Sequence, residues 1–433
     1  MSREMKNSGI PWIGDIPKDW GIVRNKNVFS NSKILVGDAW NTTQLLSLTT
    51  KGIKAVAIGS TSGKVPDSYD TYQVVEKDNI VMCLFDLDCS AVFSGLSPIH
   101  GMISPAYKAL TIKNGFLPDF YAKWFDYIFD GRKFMFLSKN IRYSLTYDEF
   151  ASLQVVAPSL LEQQKIASFL DRKCAEIDEM IALQERVIEE LNSYKQAIIT
   201  EVATKGLNTS ACMVDSGIEW VGNIPNNWSV VPFRSYVKER SEKNKGEKTR
   251  ELLALSYALG VTLYRDKVFN MDRVKNNYED YQLVYEDDLV LSPNDIIKGS
   301  IYVSKYYGCI SPMYLVCSAR NAETHHLPYL SYLLRTKEAG RKLFYIARGL
   351  IGEILDNGKY VTRRMTVSRQ DLMSFKVLLP PIDEQKAIVK HLDTKCTEID
   401  NLISIKLSKI DSLNEYKKSI IYEYVTGKKE VTE

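Results

Sequence analysis

No apolar run in these 433 residues approaches the roughly 20 needed to cross a bilayer. The opening MSREMKNSGIPW lacks the apolar core of a signal peptide. A cytoplasmic protein with no membrane partner is the expectation. Cysteine is sparse, with seven residues and no CxxC spacing, which argues against both a disulfide framework and a zinc ribbon. Cys174 and Cys396 fall in helix-like segments, where a thiol behaves as a small hydrophobe. There are only four histidines, no HExxH, and no nearby cysteine cluster to complete a metal site. His391 sits beside a helical apolar stripe and reads as packing, while His325-His326 falls in a loop.

Catalytic words are missing too. No GxGxxG follows a strand, and no N-P-P-aromatic word is present. The nearest approach to a phosphate loop, GSTSGKV (59–65), is one residue short between its glycines, with Val65 where a hydroxyl would hold magnesium. It reads as a flexible turn. The acid pairs Asp86/Asp88 and Asp287/Asp288 read as solvated loop carboxylates, lacking a histidine or metal partner. The chain is expected to catalyse nothing alone. A net charge of +3 neither demands nor forbids nucleic acid.

What is present is a repeat. SGIPWIGDIPKDW (8–20) returns 208 residues later as SGIEWVGNIPNNW (216–228), identical at eight of thirteen positions. Further words follow in the same order: YDTYQVVEKDNIVM and YEDYQLVYEDDLVL, ISPAY and ISPMY, LPDFYAKWF and LPYLSYLLR, Gly131-Arg132 and Gly340-Arg341. The closing words match best. EQQKIASFLDRKCAEID (162–178) meets EQKAIVKHLDTKCTEID (384–400) at ten of seventeen positions, offset by 222. A period near 210 is too long for one supersecondary unit, so each repeat is a domain with an appendage.

The first part of each repeat has short β-branched and aromatic runs broken by Gly, Asn and Asp. YQVVEKDNIVMCLF and ASLQVVAP read as strands and DFYAKWFDYIFD as a short helix, giving an α+β domain. The last part is a long helix. Its stripe is Ile166, Leu170, Ile177, Ile181, Ile188, Leu191, Ile198 and Val202 in the first copy, and Ile388, Leu392, Ile399, Ile403, Ile410, Leu413 and Ile420 in the second. The spacing is narrow enough for a coiled-coil seam. Ser159 and Glu162 form a capping box, Pro380-Pro381 suits a first turn, and Gly206 and Gly427 stop the two helices. The expected domains are 1–158, a spacer helix 159–206, 207–380, and a C-terminal spacer helix 381–433.

A duplicated α+β domain, each copy followed by a long helix opening P-x-x-x-E-Q, resembles the specificity subunit of type I restriction-modification systems. The resemblance spans essentially the whole chain and is carried by the doubled W-x-G-x-I-P-x-x-W and EQxxI…LDxKCxEID words. It implies two target-recognition domains, each reading half of a split site on double-stranded DNA. It implies helices packed as an antiparallel coiled coil with pseudo-two-fold symmetry, which sets the gap and docks two methyltransferase subunits. Restriction and translocase subunits join through those. No cofactor belongs to this chain; S-adenosylmethionine, ATP and magnesium are expected in the partners. A helix of about 40 residues spans roughly 60 Å, which suits half-sites under two DNA turns apart. Matches that are strong at the edges and helices but weak between fit half-sites that differ and partners that are identical.

Base readers and phosphate holders belong in poorly matched loops. Before the last strand of the first domain stands SKNIRYS, with Lys139, Asn140, Arg142 and Tyr143; the second has NGKYVTRRMT, with Lys359, Tyr360, Arg363 and Arg364. A second tier is Ser60, Thr61, Ser62 and Lys64 in the glycine turn, and Asn294, Asp295 and Lys298 in SPNDIIKGS. The run Lys238–Arg250, with six basic and three acidic residues, reads equally as a solvated loop or a phosphate contact. Two other readings stay open: a scaffold that only assembles proteins, and an enzyme with an unfamiliar site at Asp86/Asp88 or His325/His326.

Overall fold

The computed structural model describes residues 3–59, 68–138, 143–256, 259–267, 278–349, 353–354, 360–361 and 365–432. Its longer helices are α1 (Pro118–Asp130), α2 (Leu160–Lys205), α3 (Leu327–Leu334), α4 (Lys337–Ile346) and α5 (Ile382–Val425). One compact unit comprises Met1–Glu185 with Leu407–Glu433, the other Arg186–Lys406. Each unit therefore holds one α+β domain, the first part of the helix that follows it, and the last part of the other long helix.

The reason lies in where the stripes are buried. Ile166, Leu170 and Ile177 enter the core of the first unit together with Ile420, Ile421 and Val425. Ile388, Leu392 and Cys396 enter that of the second together with Ile199, Val202 and Ala203. The helices run antiparallel in both. In the first unit Phe169 packs on Tyr424 with ring centroids 4.4 Å apart, and further along α2 Asp178 meets Lys417 at 2.7 Å. In the second, Lys195 meets Asp400 at 2.6 Å and Gly206 abuts Glu384. Between these ends Ile181, Ile188, Leu191, Ile403, Ile410 and Leu413 are half-buried. The stops fall at Gly206 and Gly427, where φ of +77° and +70° suits glycine.

The sheets repeat as well. In the first unit a four-stranded sheet runs Phe29–Asn31, Lys108–Ile112, Ile80–Met82, Ser94–Leu96; in the second the order is Val237–Glu239, Leu315–Ala319, Leu289–Leu291, Ile301–Val303. The strands Ile80–Met82 and Leu289–Leu291 are continuously apolar because both faces are covered. Ile80 and Met82 join the core shared with the helices, while Val81 points into a smaller core with Leu46, Leu48 and Ile53. Leu289 and Leu291 alternate with Val290 in the same way. This is the period of two that strand geometry dictates. Each domain closes by pairing an early strand with its last, Val155 with Val23 and Val377 with Val231.

Two details differ from the sequence reading. Ser159 Oγ accepts from the Glu162 amide at 3.3 Å, but the Glu162 carboxylate turns to Trp20 and Arg3, so half of the capping box is made. Asp288 is not a solvated loop carboxylate. It is 2% exposed and receives Arg240 at 2.7 and 3.0 Å, which satisfies the charge that burial would otherwise penalise.

Candidate nucleic-acid interface and paired helices

The doubled words find each other. Trp20 Nε1 donates to Glu162 Oε2 at 2.8 Å, and Trp228 Nε1 donates to Glu384 Oε2 at 2.9 Å. Gln163 and Gln385, each buried, donate back to Pro158 O and Pro380 O at 2.9 and 2.7 Å. Their Oε1 atoms accept from backbone at the start of a domain helix, from Leu117 N and His326 N, both at 2.8 Å. The E-Q pair thus staples each long helix to its domain. A second tie closes the arrangement: Gly206, at the end of α2, lies against Trp228, and Gly427, beyond the end of α5, lies against Trp20 and Pro17.

The exposed apolar residues of the helices also come in matched pairs. Met180 and Leu402, Leu183 and Ile405, and Tyr194 and Tyr416 each stand 222 apart in sequence, and all six are between 41% and 63% exposed. The same exposed apolar pattern is thus presented twice, at equivalent places in both copies. The aspartates of the LD words are held alike but by different donors: Lys123 reaches Asp171 at 2.9 Å, and the Tyr332 hydroxyl reaches Asp393 at 2.6 Å.

Of the loop candidates, Ser60, Thr61, Ser62, Lys64, Lys139, Asn140, Arg142, Lys359, Arg363 and Arg364 lie outside the described residues, as does the side chain of Tyr360. The anchors of these loops are described. Tyr143 is 41% exposed with φ of +44°, and its carbonyl accepts from Leu87 N at 3.0 Å. In the second domain Glu353–Ile354 pairs with Tyr360–Val361 as a hairpin. Its base is fixed by Arg348 and Thr366, which exchange backbone bonds of 2.9 Å. The Thr366 hydroxyl then donates to Asn294 Oδ1 at 2.7 Å, and Val367 N donates to Pro293 O at 3.1 Å. The end of one candidate segment is therefore tied to the other, SPNDIIKGS.

The run Lys238–Arg250 is largely engaged with itself and its surroundings. Arg240 takes Asp288, Lys248 takes Glu242 at 2.7 Å, and Arg250 takes Glu247 at 2.7 Å. Among the residues the sequence did not single out, Arg335, Lys337 and Arg341 collect around a groove with Lys298. The only signal for them was the repeated Gly-Arg word. His325 and His326 lie against the domain, and burial first of all holds both rings below the usual histidine range. Among the described residues no group of three His, Cys, Asp or Glu side chains is placed to hold a metal ion. No described helix is long and apolar enough to cross a membrane.

No family model matches the chain. Curated proteins do. The MjaVIII specificity subunit of a type I restriction enzyme from Methanocaldococcus jannaschii is 25% identical over 384 residues, covering 82% of this chain and 80% of that one. The MjaX specificity subunit from the same organism is 22% identical over 441 residues, covering 96% and 95%. The chain is a relative of type I specificity subunits. Solved structures agree in fold. A chain from a structure addressing complex assembly and conformational transition of the type I R-M system superposes with a TM-score of 0.67 at 13% identity, over 95% of this chain and 98% of that one. The HsdS subunit from Thermoanaerobacter tengcongensis gives 0.50 at 15% identity, with the same coverage of both chains. The specificity-subunit architecture thus extends over nearly the whole chain, both repeats included.

Proposed function

We propose that this chain is the DNA-specificity subunit of a type I restriction-modification complex and acts without catalysis of its own. Each α+β domain reads one half of a split double-stranded site, and the paired helices set the gap and dock two methyltransferase subunits. Restriction and translocase subunits join through those. S-adenosylmethionine, ATP and magnesium belong to the partners, and the work is done in the cytoplasm. The observation that carries this reading is the doubled construction. The same Trp–Glu tie is built in both copies, and the same exposed apolar pairs recur along the helices, while the loops between the matched words differ. Constant features suit identical partners, and differing loops suit two different half-sites.

Lys139, Asn140, Arg142, Tyr143, Lys359, Tyr360, Arg363 and Arg364 are the proposed readers and phosphate holders, with Ser60, Thr61, Ser62, Lys64, Asn294 and Lys298 beside them. The test maps methylated adenines in a host carrying this chain and its methyltransferase partner, and again after deleting this chain. A split motif that disappears on deletion establishes the reading. Unchanged methylation with an active partner overturns it in favour of a scaffold.

A further inference from the structure

We propose that a basic groove of the second repeat holds the sugar–phosphate backbone of DNA beside the half-site which that domain reads. This rests on the reading of the chain as a DNA-specificity subunit. The groove, about 750 Å³, lies between α4, the turn Ile296–Lys298 and Asn192 and Gln196 of α2. Lys298, Arg335, Lys337 and Arg341 line it, and among the described residues no carboxylate does. Lys337 and Arg341 are one helical turn apart, on the same face of α4. Both are exposed, and among the described residues neither enters an ion pair. Arg335 is held in place, its guanidinium 4.3 Å from the ring centroid of Tyr302 and 5.6 Å from that of Tyr332. Glu338, the acidic residue of the first turn of α4, is drawn away to the Thr200 hydroxyl at 3.2 Å. Lys298 meets Asp295 only at 3.8 Å.

At the matching Gly-Arg word of the first repeat the side chains are packed together. There Leu87, Phe93, Phe129 and Phe134 leave about 10 Å³. Phe93 stacks on Phe129 at 6.0 Å and meets Phe134 edge-on at 5.5 Å. Arg132, the counterpart of Arg341, turns inward and donates to Leu87 O at 2.8 Å and Ser90 O at 3.2 Å. The sequence keeps the arginine in both copies but spends it on structure in one and leaves it free in the other.

That asymmetry decides between occupants. A docking site for the methyltransferase would be needed twice and would appear in both repeats, as the exposed helix pairs do. A site serving one half of a split DNA sequence is needed once. Position agrees: α4 ends at Ile346 and the chain enters the hairpin base at Arg348, which is bridged to Thr366. Thr366 in turn is tied to Asn294, on the loop that supplies Lys298. Backbone contacts place a duplex without reading it, and cations without carboxylates are what such contacts require. The Tyr345 hydroxyl, on a side chain 80% exposed at the rim, is a further phosphate donor.

The experiment compares the assembled methyltransferase complex carrying Lys337→Gln and Arg341→Gln with the unaltered complex. Binding to a duplex holding the split site, and to one with the second half-site scrambled, is followed from low to moderate salt. Both side chains are exposed, so the fold should persist, and circular dichroism together with complex assembly checks it. The expected result is weaker binding to both duplexes by the same factor, with the slope of log affinity against log salt shallower by about 2. Unchanged affinity and slope overturn the proposal. So does a loss confined to the intact half-site, which would make these residues base readers, and so does failed assembly, which would assign the groove to a protein. If the unaltered complex does not distinguish the two duplexes, the DNA-specificity reading itself fails.

Discussion

Trp228 donates its indole proton to Glu384 at 2.9 Å, across 156 residues of sequence, and Trp20 repeats the bond to Glu162 at 2.8 Å across 142. Trp228→Phe keeps most of the ring and removes the donor. It should cost about 1.5–3 kcal/mol, the range for a hydrogen bond to a charged group. Denaturant unfolding of the single variant and of Trp20→Phe measures it, and equal effects at the two sites are expected.

Asp178–Lys417 and Lys195–Asp400 join the long helices at matching places, with both aspartates 57% exposed. Exposed pairs contribute little, about 0.2–1 kcal/mol each. A double-mutant cycle on Asp178→Asn and Lys417→Met should give a coupling energy in that range, smaller at high salt.

Leu392 is fully buried in the core of the second unit. Leu392→Ala should cost about 2–5 kcal/mol by removing buried methyl groups and leaving a cavity. Thermal unfolding checks this.

The exposed pairs behave in the opposite way. Leu183→Glu with Ile405→Glu should change stability by under about 0.5 kcal/mol, yet weaken binding of the methyltransferase subunits. Titration of partner onto the variant, read by sedimentation, separates the two effects. Undiminished binding would remove these residues from the docking surface.

Burial holds His326 below its ordinary value of 6.5; nearby Lys386 pushes the same way, while Asp287 and Asp393 oppose it. His325 is also lowered, by burial first. The unfolded chain therefore takes up these protons at a higher pH than the folded one. The contribution to stability is complete above the unfolded value and declines as pH falls below 6.5 toward the folded values. The second unit should lose stability between neutral and mildly acidic pH, and His326→Gln should flatten that loss. Melting curves at pH 7.5 and 5.5 check the sign.

Arg142 and Arg363 stand in the two proposed reading loops. Arg142→Ala should weaken recognition of one half-site and Arg363→Ala the other, by about 1–3 kcal/mol where a base is contacted. Competition binding against duplexes altered in one half at a time reads this out.

The duplication was legible because its words recur in order, and the long helices because their stripes, caps and stop glycines agree. What the words do to one another was not legible: nothing in a linear sequence joins Trp20 to Glu162, or Asp178 to Lys417. Local reading also misplaced Asp288, whose buried charge is met by Arg240 arriving from just past the strand Val237–Glu239. The groove lined by Lys337 and Arg341 was hidden for a similar reason. Gly131-Arg132 and Gly340-Arg341 are the same word, but aromatic residues pack around the first, whose arginine turns inward, while the second leaves its arginine exposed.

Each long helix ends against the domain of the other repeat, Gly206 on Trp228 and Gly427 on Trp20. A polypeptide carrying one repeat alone would present a tryptophan with no helix end to cover it and a helix end with no tryptophan to receive it. Two such halves satisfy each other, and the exchange closes after two. A half-length chain should therefore self-associate as a symmetric dimer that reads the same half-site twice, in opposite orientations, turning an asymmetric split sequence into a palindrome.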